Sequence, residues 1–232
     1  MPASIASLIK HPLVFKGRAQ HDNQAVGMLR LPFGQQKLDE ACVGGVPAAG
    51  VITLRALPGS SEIQLMHNVM QQKAATQKRI LWLHNDWQLN HNWLIQSPLH
   101  KQSWVVTTRC TEDSLWAGEQ AIRSQACCCV VLYISQLAAK AARRLQVLAC
   151  QYDCLVIVVQ HAWGNHGVLP VNIDMQLTFS ASEWLVQLNR VKGAWPQTDI
   201  PITHPLPASN DAIVKAFSHF SHGQTSTLHE VS

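Results

Sequence analysis

Charge is scarce in this chain: 14% of its 232 residues are Asp, Glu, Lys or Arg, well below the quarter or so usual in globular domains. The excess, a formal +4, is spread without a Lys/Arg stripe, so composition by itself does not mark a nucleic-acid binder. Acidic residues are missing altogether between Glu119 and Asp153. Tyrosine is rare too, two against eight tryptophans and five phenylalanines, so much of the aromatic surface is carried by the residue most enriched in binding hot spots. No basic segment followed by a long apolar run opens the chain at Met1–Lys10, and no apolar window reaches the roughly 20 residues of a membrane span. Seven cysteines, an odd number with Cys127, Cys128 and Cys129 consecutive, do not make a secreted disulfide framework. These absences together give the expectation of a cytoplasmic protein that does not engage a membrane.

What is present is a substantial apolar content, 47%, enough for one core. Short, nearly continuous apolar runs recur at Val51–Leu54, Ile80–Leu83, Trp104–Thr107, Cys128–Leu132 and Leu155–Val159. Continuous rather than alternating patterning predicts strands buried on both faces of a parallel sheet. Helical spacing fills the intervals, as in Ile63, Met66, Val69 and Met70, or Leu137, Ala141, Leu145 and Leu148. After Pro170 the period falls towards two over Val171–Phe179 and Trp184–Leu188, which predicts an antiparallel pair at the sheet edge near the C-terminal side. The fold class expected is therefore α/β, with a mostly parallel central sheet and helices on both faces. Three parts are expected: a leader over residues 1–30, a core over 31–196, and a flexible Pro-, Thr- and Ser-rich tail over 197–232.

The turn Leu57-Pro58-Gly59-Ser60-Ser61-Glu62-Ile63-Gln64 follows one of these strands and opens a helix, the setting of a phosphate-binding P-loop. Its chemistry is missing. A P-loop places a lysine on the outer phosphates and a Ser or Thr on Mg²⁺, and those places hold Ile63 and Gln64; Glu62 stands where glycine would let the backbone approach. The strand Cys127–Tyr133 and the turn after it supply no carboxylate for the metal either. The expectations are no catalytic residue, no cofactor and no metal, with Gly59-Ser60-Ser61 serving as a tight turn and a helix cap.

The order of motifs points to a family. Leu38-Asp39, then Gly44-Gly45, Pro47 and Gly50, then the degenerate turn, resembles the opening of a RecA-type core. Within that superfamily the chain resembles the bacterial ImuA/SulA group, RecA-like proteins of the DNA-damage (SOS) response, over roughly Leu31 to Pro196. Arg79–Leu83 with Trp93, Glu119–Ser124, and Leu188-Asn189-Arg190-Val191-Lys192-Gly193 carry the likeness further, with Val191 at a position that is basic in the group. The leader, with Ile5, Leu8, Pro12 and Phe15-Lys16-Gly17, is similar to the ImuA side. That resemblance implies a non-enzymatic accessory of translesion DNA synthesis, assembling with an ImuB-type Y-family polymerase homologue and an error-prone DnaE-type polymerase, with RecA or DNA as further partners. The alternative it implies is a SulA-like division inhibitor that binds FtsZ through the region Arg79–Arg109.

Candidate partner-binding residues follow from composition and from the resemblance. Trp87, Trp93 and Arg109 combine tryptophan with arginine, the make-up of a hot spot. Arg190 and Lys192 lie in the basic segment, and Ile213, Phe217 and Phe220 have the spacing of a short docking helix in the tail. Cys127, Cys128 and Cys129 alternate across a strand and cannot all face one metal, Cys150 and Cys154 lack a second ligand pair at zinc-like spacing, and His161 and His166 have no nucleophile with an orienting acid beside them.

Overall fold

The computed structural model describes residues 29–57, 60, 62–85, 89, 91–163, 167–180 and 183–203. Gly59, Ser61, Trp87, residues 1–28 and the tail with Ile213, Phe217 and Phe220 lie outside the described residues.

Leu38 and Asp39 organise the turn that leads into the sheet. They lie on the short helix α1 (Gln36–Ala41), where Leu38 is fully buried. The Asp39 carboxylate accepts the backbone N–H groups of Phe33 (2.6 Å), Gly34 and Gln35 (both 3.1 Å), which satisfies three donors that the turn would otherwise strand. A two-residue ladder, β1 (Arg30–Leu31) with β2 (Val46–Pro47), closes over this turn. Gly45 takes φ +115°, and a Cβ there would sit 2.7 Å from the Leu31 carbonyl carbon. Gly50 takes φ +120°, and a Cβ there would sit 2.7 Å from Gln146 Nε2 and collide with the Asn172 amide. Both glycines are dictated by backbone conformation and by close approach.

From Gly50 the chain alternates strand and helix: β3 (Gly50–Ala56), a 3₁₀ turn Glu62–Met66 running into α2 (His67–Ala74), β4 (Arg79–His84), α3 (His91–Gln96), β5 (Ser103–Thr107), α4 (Thr111–Arg123), β6 (Cys127–Tyr133), α5 (Ala139–Gln151) and β7 (Leu155–His161). The strands β8 (Ile173–Ser180), β9 (Glu183–Val191) and β10 (Gln197–Ile202) complete the described chain. Among the described residues eight strands form one sheet in the order β10-β9-β8-β3-β7-β6-β4-β5. All pairings from β8 to β5 are parallel, and those of β9 with β8 and β10 are antiparallel. This is the α/β architecture the sequence predicts, consistent with a RecA-like core.

Each face has its own core. Ile52, Leu54, Trp82, Val131 and Ile157 pack with α2 and α3 residues such as Met70 and Leu94. Val51, Leu83, Val130, Val156 and Val158 pack with Ile122 of α4 and Leu145 of α5 on the other side. Strands covered on both faces are apolar at most successive positions, which is why the central runs are nearly continuous.

Two expectations are corrected. The run Trp104–Thr107 forms the expected strand, but it is exposed rather than buried: it is the outermost strand, and Trp104, Val105 and Val106 are 51%, 37% and 43% exposed. The tail does not begin at residue 197, because β10 pairs with β9 and Ile200 is buried. Pro201 and Asp199 disguise this strand, and an edge tolerates both.

Candidate functional site

Ligands of open α/β sheets bind beyond the carboxyl ends of the parallel strands, so the site to inspect is the rim formed by Ala56, His84, Tyr133 and His161. The degenerate turn lies there, and its described residues point into the protein. Ser60 is buried, its N–H donates to the Leu57 carbonyl (3.1 Å), and its hydroxyl donates to Glu62 Oε2 (3.4 Å). Glu62 is only 6% exposed, and burial pushes its carboxyl above the usual carboxylate range. Tyr133, at the end of β6, is buried, and its phenol is pushed well up by burial and then by the Glu62 charge. Glu62 therefore does not present a carboxylate to solvent, where the sequence places it against a polyanion; it is part of the packing beneath the turn.

The next two residues are committed elsewhere. Ile63 belongs to the core on the α2 side. Gln64 Oε1 accepts the indole N–H of Trp93. Trp93 in turn packs edge-on against Trp82 (6.0 Å between centroids) and His67 (5.8 Å). The helix also starts imperfectly, as a 3₁₀ turn through Met66 before α2. The donor set at this position is one carboxyl, one aliphatic chain and one amide already hydrogen-bonded. It does not fit a nucleotide triphosphate with Mg²⁺, which needs a cation and a hydroxyl there.

Behind the rim runs a buried polar row that sequence reasoning missed. Thr53 and Arg55 share one face of β3. Asp174 on β8 accepts from Thr53 Oγ1 and from Arg55, both at 2.7 Å, in a buried ion pair. Gln160 on β7 is in register with Arg55 and is fully buried. Among the described residues neither of its amide atoms has a hydrogen-bond partner, nor does Arg55 Nε. The signal in the sequence is a pair of polar residues, Thr53 and Arg55, interrupting a run otherwise suited to double burial.

The other predicted residues do not converge. Trp93 is half-buried and packs against the core. Arg109 is exposed in the turn after β5. Arg190 and Lys192 are exposed at the far side of the sheet, where Arg190 Nε donates to the Val171 carbonyl (2.9 Å). They sit beside the amino end of β8, because Val191 is in register with Ile173. The exposed aromatic that is displayed on a helix is Trp116 of α4, 66% exposed. Burial raises the thiols of Cys42 and Cys154 to about 12, which keeps them protonated and unreactive at neutral pH. Among the described residues no group of three or more His, Cys, Asp or Glu side chains is placed to hold a metal, and no helix is long and apolar enough to cross a membrane.

Scanned against protein-family models, the chain matches none, and a search of curated proteins finds no match.

Proposed function

We propose that the chain is a non-catalytic accessory of the DNA-damage response. Its work is assembly with partners in translesion DNA synthesis, in the manner its resemblance to the ImuA/SulA group implies. The observation that supports this reading is the turn after β3: a RecA-like arrangement of strands is kept, while the position for phosphate and metal is filled by the protein's own Ile63, Glu62 and the Gln64–Trp93 pair. A core that retains the architecture and gives up the chemistry is suited to presenting surface. The partners proposed are an ImuB-type Y-family polymerase homologue and a DnaE-type polymerase.

Pull-down of the purified full chain tests this, and a second form ending at Thr203 keeps β10 in the sheet. Capture of the ImuB-type protein by the full chain supports the reading, and its loss on truncation assigns the contact to residues 204–232. Capture of FtsZ in its place would overturn the translesion role in favour of a division inhibitor.

A further inference from the structure

The two borders of the sheet are not equivalent. On β10, Pro201 removes a backbone donor, Asp199 adopts φ +56°, and the ladder shifts register between Gln197 and Ile200. These are the devices with which proteins blunt an edge. On β5 none is present: Ser103-Trp104-Val105-Val106-Thr107 has no proline, no charge and an unbroken register with β4. Trp104, Val105 and Val106 are exposed, and so are Ile95 on α3 and Trp116 on α4, the helices that lead into and out of the strand. An apolar edge that carries no charge and that nothing among the described residues covers is a template for another strand.

We propose that a second copy of this chain covers β5, pairing its own β5 antiparallel across a two-fold axis so that the sheet runs on through both protomers. The strand is self-complementary. A two-fold axis normal to the sheet keeps each side chain on its own face, so only pairings between residues separated by an even number are allowed. The register centred on Val105 is the one that overlaps all five residues. It sets Trp104 against Val106 of the second copy on one face, twice, and Val105 against Val105 on the other. Aromatic against β-branched is a favourable cross-strand pair, and Ser103 and Thr107, whose hydroxyls are hydrogen-bonded within their own protomer, stand opposite each other at the ends.

The backbone agrees with this register. Thr108 N donates inward to the His84 carbonyl (2.8 Å). In a parallel ladder every second residue faces the same neighbour, so the N–H and C=O groups of residues 103, 105 and 107 face outward. Val105 then exchanges both hydrogen bonds with its counterpart. Arg79, whose guanidinium lies over the Trp104 ring at 5.4 Å, holds that indole against its own sheet. Isologous pairing also closes on itself, whereas β5 against β10 would make an open chain and would need the blunted edge.

This dimer is independent of the functional reading above, and the mass of the full chain in solution tests it. A particle of twice the chain mass across the micromolar range is expected, and a single-chain mass throughout would overturn the proposal, leaving β5 to residues 1–28, to residues 204–232 or to a different protein. Val105→Pro removes an outward donor that β4 does not use, so it is expected to abolish the dimer while leaving the circular dichroism spectrum unchanged. Val105→Cys keeps the strand intact and settles the register independently: under mild oxidation it is expected to give a covalent dimer that the unsubstituted chain does not. A dimer that persists in Val105→Pro, or one that fails to cross-link through Val105→Cys, would overturn the proposal.

Discussion

Residues 38–50 and residues 57–64 carry the two halves of the same RecA-like resemblance, and the structure treats them in opposite ways. In the first, the motif residues have structural duties: Leu38 fills the core, Asp39 gathers three N–H groups, and Gly45 and Gly50 permit close approaches no side chain would survive. In the second, the residues that would touch a phosphate are replaced by ones that touch the protein itself. The resemblance thus joins two separable parts: a scaffold that holds the first strand in the sheet, and a turn whose side chains at residues 62–64 are engaged by the protein itself.

That contrast can be attacked by substitution. Gly50→Ala should have the largest effect, because it forces φ +120° on a residue with a Cβ and drives that atom into Asn172 and Gln146; a loss of about 3–5 kcal/mol in denaturant-induced unfolding is expected. Ile63→Lys, which restores the P-loop cation in name, should cost about 2–4 kcal/mol by placing an ammonium in the core. If it instead left stability unchanged and conferred nucleotide binding, the turn would be a dormant site and the contrast would fail. Asp39→Ala should cost about 1–3 kcal/mol, since it strands donors in the turn before α1.

The smallest effect has the opposite sign. Glu62 has its folded-state carboxyl raised by burial, so its ionisation opposes folding. The fold is free of this penalty below the ordinary carboxylate range and bears it progressively as pH rises through the raised value. Glu62→Gln should therefore raise Tm at pH 7 and leave it nearly unchanged at pH 4. A variant that loses stability at pH 7 would mean that the carboxylate is paired in a way that favours its charge.

The central strands were legible because burial on both faces leaves an unbroken apolar run, and β8 with β9 because the period changes. The exposure of β5 was not legible: Trp104-Val105-Val106 is as apolar as Val156-Ile157-Val158 in β7, and what distinguishes it is only the absence of a strand beyond among the described residues. The strand β10 was hidden by Pro201 and Asp199, residues that an edge accepts and an interior rejects. At the turn, the residue types at Glu62, Ile63 and Gln64 could be read directly, but not their surroundings. The Gln64–Trp93 hydrogen bond was not legible, because it joins residues 29 apart in sequence. Likewise, Asp174 is paired with Thr53 and Arg55 across 121 and 119 residues, and nothing local announces it.

Equilibrium binding of Mg²⁺-ATP to the full chain, followed by calorimetry into the millimolar range, tests most directly whether the turn after β3 is a structural element. No saturable heat is predicted at any concentration reached. A saturable, one-to-one isotherm that is abolished when Glu62 and Gln64 are changed to alanine would contradict this and would put a nucleotide where the structure has Ile63 and Trp93.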